Sequence, residues 1–97
     1  MKMAFSNRMW HWRGPSPFHF ISLPEDLSQE IKDMAASLTY GWGMIPVDAR
    51  IGATDFSTAM YEKNGVYILP IKNVVRLGEK IEIDDMVDVE ISLKPQL

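Results

Sequence analysis

The 97-residue sequence contains no cysteine. This absence excludes a disulfide, a thiolate nucleophile and cysteine-ligated zinc within the chain. Long apolar runs are also missing: no stretch reaches the roughly 18 apolar residues of a membrane span, and residues 1–6 lack the apolar core of a signal peptide. We therefore expect a cytoplasmic protein that makes no membrane contact.

Basic residues are in deficit. The chain has 10 Lys and Arg against 13 Asp and Glu, a formal net charge of −3. This balance disfavours nucleic acid as a partner, because general polyanion binders concentrate Lys and Arg. The charge is uneven, since residues 1–23 contain Lys2, Arg8 and Arg13 but no acid, whereas the last third is acidic.

The rest of the composition is that of an ordinary globular domain, with 46% hydrophobic, 24% charged and 10% aromatic residues. The length predicts one domain over residues 1–97. A chain this short buries only about 60 to 65% of its unfolded surface, so its core is small. We expect a monomer, or a homodimer in which the partner subunit adds stability.

The N-terminal third predicts a β-hairpin. Residues 5–13 and 18–23 are rich in aromatic and β-branched side chains, and residues 14–17 form a Gly-Pro-Ser-Pro turn signal. If the turn centres on Pro15, alternation separates the side chains into two faces. The face predicted to lie in the core carries Trp10, Trp12, Phe18 and Phe20, and the opposite face carries His11, Arg13 and His19.

The next segments predict a helix and further strands. Pro24 suits the start of a helix whose apolar face extends to Leu38, with Gly41 as its C-cap. Strands are expected over residues 44–52 and 54–61. Asn64-Gly65 is a strong hairpin turn that leads into a strand over residues 66–69.

The C-terminal segment predicts a short helix and a last strand. After Pro70, one side of the helix is expected to carry Ile71, Val74, Val75 and Gly78. Residues 87–93 alternate between apolar and polar and predict a half-buried strand. The chain is therefore predicted to be mainly β, with about six strands, one long helix and one short helix.

The two halves share an order of elements. In each, a strand ending in Leu-Pro is followed by a helix, a glycine and a second strand, over residues of about 18–52 and 66–94. Coincidence is the alternative, since proline's fixed φ favours a strand-to-helix junction. If the pseudo-repeat is real, neither half buries its apolar face alone, and the two interlock into a small barrel without open sheet edges.

An ordered set of motifs covers nearly the whole chain: Trp12-Arg13-Gly14-Pro15-Ser16-Pro17, Leu23-Pro24, Tyr40-Gly41-Trp42-Gly43 with Ile45-Pro46-Val47, and Leu69-Pro70-Ile71-Lys72 with Arg76. Together they resemble a bacterial family of unknown function, found alone or fused to a bacteriocin-protection (YdeI or OmpD-associated) domain. The resemblance implies a double-split β-barrel, an architecture shared with the AbrB, MazE and MraZ group of DNA-binding proteins. It implies no activity.

The second half resembles the AbrB-type element but departs from it in one turn. Asp84-Asp85 stands where that element has Gly-Asp. A position that needs a positive φ is costly for most residues other than glycine. The geometry of this turn is therefore open.

The leading hypothesis is a noncatalytic module that binds a small ligand or a protein in an aromatic and basic cleft. The structural alternatives are that Arg13 fixes the hairpin turn through backbone carbonyls, that the tryptophans pack in the core, and that Lys72 lies on a solvated helix face. The candidate ligand-binding residues are Trp12, Arg13, Tyr40, Trp42 and Lys72.

Two other functions are weighed. An AbrB-like DNA-binding protein would place Lys72 and Arg76, which are four residues apart, on phosphates. A small enzyme is the third hypothesis, with no catalytic residue assigned, because the serines lack a GxSxG context. His11 and His19 are too few for a tight metal site, and no phosphate-binding glycine motif occurs, so neither a metal nor another cofactor is expected.

Overall fold

A computed structural model describes residues 1–14, 18–35 and 43–93. Six strands and two helices lie within these ranges, which confirms the mainly β prediction. Their bounds are β1 (Lys2–Trp12), β2 (Phe18–Ser22), α1 (Glu25–Asp33), β3 (Ile45–Ile51), β4 (Thr54–Lys63), β5 (Val66–Ile71), α2 (Asn73–Gly78) and β6 (Met86–Leu93). None of the helices in the described ranges has the length and apolar character needed to cross a bilayer.

The strands close into a barrel in the order β1-β2-β5-β4-β3-β6, and all neighbours are antiparallel. The two longest strands each pair with two partners in succession. Residues 2–8 of β1 pair with β6 and residues 9–12 with β2, while residues 54–60 of β4 pair with β3 and residues 61–63 with β5. This division of two strands between two sheets is the predicted double-split barrel.

The core follows strand alternation. The inward side chains of β3 and β6 are aliphatic and buried, and their outward neighbours are mostly polar or charged. On β1 the inward positions are the odd-numbered ones, where Phe5 and Met9 are buried. This parity determines which side of the first hairpin faces the core.

Helix α1 is attached to β5 by polar and apolar contacts. Its Ile31 is fully buried, and the hydroxyl of Ser28 accepts a hydrogen bond from the backbone N–H of Tyr67 at 3.0 Å. The carbonyl of Tyr67 accepts from the backbone N–H of Leu23 at 2.9 Å. The predicted extension of this helix through Leu38 to Gly41 lies mostly outside the described residues.

Helix α2 differs from its prediction. It begins at Asn73, since Pro70 and Ile71 still belong to β5. Val75 is buried and Val74 is 75% exposed, so two valines predicted to share one side of the helix differ in their burial. Successive helical residues are about 100° apart, and a helix of six residues turns only a narrow face to the core.

The turn at Asp84-Asp85 keeps a positive φ without glycine. Asp84 has a φ of 73°, in the left-handed region that Asp tolerates better than most residues. The turn is joined to β1 because the backbone N–H of Asp84 donates to the Met9 carbonyl at 2.8 Å, and the N–H of Met9 donates to the Asp85 carbonyl at 3.1 Å. The side chain of Asp85 accepts from the Glu82 N–H at 2.8 Å.

Candidate functional site

The aromatic face of the first hairpin lies on the outside of the barrel. The register confirms the predicted pairing about Pro15, with Trp12 opposite Phe18 and His11 opposite His19. Because odd-numbered residues of β1 point inward, Trp10 and Trp12 point outward. The prediction that Trp10, Trp12, Phe18 and Phe20 form the core face is therefore wrong.

The outward rings instead form a second apolar cluster around Phe20. The Phe20 ring centroid lies 5.0 Å from Trp10, 5.4 Å from Phe18 and 6.1 Å from Tyr61, with Tyr61 edge-on. These are the tilted and T-shaped separations that aromatic pairs prefer. Phe20 and its neighbour Ile68 are 6% and 1% exposed, so this side of the sheet has a small core of its own.

Beside the cluster lies a cavity of about 420 Å³, here called the outer groove. Its buried floor is Phe20 and Ile68. Above the floor, Lys63 reaches from β4 to β1, and its Nζ lies 3.8 Å from the centroid of the Trp12 ring and 6.0 Å from that of Trp10. Strands β2 and β5 lie between β1 and β4 in the sheet, so the contact spans two strands. The lining residues are Trp12, Phe18, Phe20, Tyr61, Lys63 and Ile68.

Two of these rings are open to solvent. Trp12 is 44% exposed and Phe18 is 40% exposed. The structural alternative for Trp12, packing in the core, is therefore wrong. The indole lies against the backbone of Gly14, where an added Cβ would come within 2.1 Å of the Trp12 Nε1. Arg13 is exposed and makes no hydrogen bond within the described parts of the chain, so these parts do not show it fixing the turn.

The inner face of the same hairpin end carries a different set of groups. The rings of His11 and His19 stack with centroids 4.6 Å apart. Burial lowers the pKa of His19 below its ordinary value of 6.5, and the charges of Arg76 and His11 lower it further. The Nε of Arg76 is buried and has no hydrogen-bond partner within the described ranges.

The two cations of the DNA-binding alternative differ in their surroundings. Lys72 is exposed and, with Phe18, lines a cavity of about 250 Å³. Arg76 is half-buried and lies close enough to His19 for its charge to act on that ring. The apolar side chains of Val74 and Leu77 on α2 are 75% and 64% exposed.

A groove of similar size, about 430 Å³, lies on the opposite half of the barrel and is charged. Its cations are already paired: Lys2 lies 3.6 Å from Glu90, and Arg50 lies 3.0 Å from Asp55. The outer groove has one cation and no acid among its described lining residues. Of these two grooves, the outer groove is the one whose described lining combines exposed rings with a cation that has no acidic partner.

The sequence-predicted residues are only partly brought together. Trp12 is in the outer groove, Arg13 directly follows it, and Lys72 lies beside Phe18. Tyr40 and Trp42 lie outside the described residues. Tyr61 and Lys63 were not predicted as site residues from the sequence. The pattern that could have indicated them is that they lie two residues apart on β4, and so on one face of the strand, just before the Asn64-Gly65 turn.

The model of one protein family, described as a domain of unknown function (DUF1905), matches residues 5–91. The chain belongs to the DUF1905 family. The match includes all lining residues of the outer groove and confirms the resemblance to a family of unknown function. The description of the family states no activity. No curated protein matches the chain.

Proposed function

We propose that this DUF1905 protein is a noncatalytic binding module whose outer groove takes a small organic anion that contains a flat ring. The observation that carries the proposal is the pair of exposed rings, Trp12 and Phe18, over a buried apolar floor and beside Lys63. Exposed apolar patches of this kind mark interaction sites on soluble proteins.

The shape of the groove favours a ring. Its volume of about 420 Å³ lies at the small end of the range of about 300–1,000 Å³ for ligand pockets. Trp12, Phe18 and Tyr61 present ring faces and edges, which attract another ring in an offset or edge-on arrangement. A one- or two-ring ligand fits this lining and this volume.

The charge of the groove favours an anion. Lys63 is the charged residue of the described lining, and its ammonium contacts Trp12 and not a carboxylate. A cation–π contact at a partly exposed position contributes only about 0.5–1 kcal/mol. A carboxylate or phosphate on the ligand therefore gains a partner in Lys63 without first breaking an ion pair.

Three probes separate the ring from the charge. 2-Naphthoate has both, 2-naphthalenemethanol has the ring without the charge, and acetate has the charge without the ring. Titrations followed by ¹H–¹⁵N NMR should show 2-naphthoate moving the indole N–H of Trp12 and binding about three- to tenfold more tightly than the neutral alcohol, since one charged contact contributes about 0.7–1.4 kcal/mol. Acetate should cause no saturable shift.

Variants then locate the site. Lys63→Met should remove the preference for 2-naphthoate over the alcohol, and Phe18→Ala should weaken both. Lys2→Met is the matched control, because Lys2 is an exposed lysine on the charged half of the barrel. Equal binding of 2-naphthoate to the Lys63→Met and Lys2→Met proteins, or no shift at Trp12, would contradict the proposal. Saturable shifts that only a protein partner produces would assign the groove to protein binding instead.

Two expectations from the sequence stay predictions. A cytoplasmic location is tested by cell fractionation. Binding to duplex DNA through Lys72 and Arg76 is tested by its salt dependence, which should be steep if several phosphates are neutralised. The exposed apolar face of α2 at Val74 and Leu77 gives the DNA-binding role little support.

A further inference from the structure

A second group of polar side chains meets at the inner face of the first hairpin end. His11 lies two residues beyond the buried Met9, and His19 lies two residues before the buried Ile21. Both imidazoles therefore continue the inward face of the barrel wall, on the side of the sheet opposite to the outer groove. His19 pairs with Ile71 of β5, just before the helix that carries Arg76.

One nitrogen of the Arg76 guanidinium has no hydrogen-bond acceptor among the described residues. This nitrogen is the Nε, and it is buried. Buried polar atoms in folded proteins are almost always hydrogen-bonded, so this donor is available to an acceptor on a ligand. Since arginine stays protonated in proteins, the acceptor that fits best is an anion.

The groups that face His19 from neighbouring elements are all cationic or able to become so. They are His11 from β1 and Arg76 from α2, and both oppose the protonation of His19. A nearby carboxylate would raise the pKa of His19, and none in the described ranges is among the groups that shift it. In sequence, Arg13 directly follows β1 and Lys72 directly precedes α2, so two further cations adjoin the elements that carry these groups. This end of an otherwise acidic protein is locally positive.

We propose that the barrel end at His11, His19 and Arg76 binds a tetrahedral oxyanion of the phosphate class. The Nε–H of Arg76 donates to one oxygen, and the two imidazoles donate to others. Donors on three separate elements suit a tetrahedral anion better than a planar carboxylate, which is bound best by one guanidinium fork. The site lies on the other side of the hairpin from the outer groove and is independent of the proposed function.

Binding of phosphate should change the pKa of His19 in one direction. A bound phosphate favours the protonated form of His19, so it must raise the pKa of that imidazole. By linkage, the affinity for a given ionic form of phosphate must increase as the pH falls through the titration of His19. A rise of about one pKa unit corresponds to about a tenfold change in affinity.

The test is an NMR titration of both imidazoles between pH 5.5 and 8, with inorganic phosphate, methyl phosphate or sodium chloride at equal ionic strength. We expect a rise of about one unit in the His19 pKa with phosphate but not with chloride. Methyl phosphate distinguishes the source: binding equal to that of inorganic phosphate assigns the site to phosphate monoesters, and binding of inorganic phosphate alone assigns it to the free ion. Equal effects of phosphate and chloride would overturn the proposal, because they would reflect screening only.

Two variants complete the test. Arg76→Lys keeps the positive charge but removes the Nε–H, and it should weaken phosphate binding about tenfold. Arg50→Lys is the control, because Arg50 lies on the charged half of the barrel and is paired with Asp55. His19→Gln gives a second measure and should abolish most of the pH dependence that is left after the second ionisation of phosphate itself is taken into account. Unchanged phosphate affinity in both Arg76→Lys and His19→Gln would also overturn the proposal.

Discussion

The contact between Lys63 and Trp12 is the feature of the outer groove that is most directly measurable. Lys63→Met removes the ammonium and keeps most of the apolar stem, while Trp12→Leu removes the ring and keeps an apolar side chain. The ammonium lies 3.8 Å from the Trp12 centroid but 6.0 Å from that of Trp10. A cycle with Trp10→Leu therefore serves as the internal comparison.

The expected coupling follows from this geometry. With Trp12 44% exposed, the cation–π contact should contribute about 0.5–1 kcal/mol, below the roughly 2 kcal/mol of a desolvated pair. The cycle with Trp10, whose centroid is near the outer limit of about 6 Å, should give less than half of that. For an m-value of about 1.5 kcal/mol/M in urea, the Trp12 coupling corresponds to about 0.3–0.7 M in midpoint.

The assay is urea unfolding of the wild type, the single variants and the double variants, followed by far-UV circular dichroism. The free energies of unfolding give the coupling as the departure from additivity. A coupling for Trp12 that is near zero, or no larger than that for Trp10, would refute the inference that Lys63 reaches across the groove.

Three further predictions concern stability. Lys80 follows α2 with a φ of 56°, so Lys80→Gly should raise the free energy of unfolding by about 0.5–1 kcal/mol in urea titrations; a loss would contradict the helix-end geometry. Ser28→Ala should lower it by about 1–3 kcal/mol because the N–H of Tyr67 loses its acceptor, and Ser28→Thr should lower it less if the hydroxyl keeps its place. Folding lowers the pKa of His19, so below about pH 6.5 the unfolded chain binds more protons than the folded protein does. Thermal unfolding should therefore show that stability falls from pH 7.5 to 5.5, and that it falls less in His19→Gln. An equal loss in both proteins would contradict the lowered pKa.

Much of the barrel was predictable because local patterns agree with the global pairing. The alternation over residues 87–93 specifies β6, and Asn64-Gly65, with φ values of 54° and 88°, specifies the turn between β4 and β5. The Gly-Pro-Ser-Pro turn signal predicted the correct register of the first hairpin. In each case the information lies within a few residues of the element that it determines.

Which face of the first hairpin lies in the core was not predictable from the residues near its turn alone. Alternation separates two faces but does not say which one is buried, and the rings of Trp10 and Trp12 suggested the wrong one. Which face is buried is determined by the N-terminal half of β1, where Phe5 and Met9 lie in the barrel core. A strand that passes between two sheets has one parity along its length, so its N-terminal half fixes the side of its C-terminal half.

The outer groove depends on contacts between distant parts of the chain. Lys63 and Trp12 meet because the strand order of the closed sheet places β1 and β4 on either side of β2 and β5, close enough for the long Lys63 side chain to span them. No local pattern contains this strand order. The positive φ of Asp84 was likewise open from the sequence, because it is held by hydrogen bonds to Met9 on β1.

The outer groove is tested most directly as a ligand site by measuring intermolecular nuclear Overhauser effects between 2-naphthoate and the wild-type protein. We expect effects from the naphthalene protons to the side chains of Trp12, Phe18 and Tyr61. Effects confined to the charged half of the barrel around Arg50, or none to these three rings at saturating ligand, would contradict the assignment of the outer groove as the binding site.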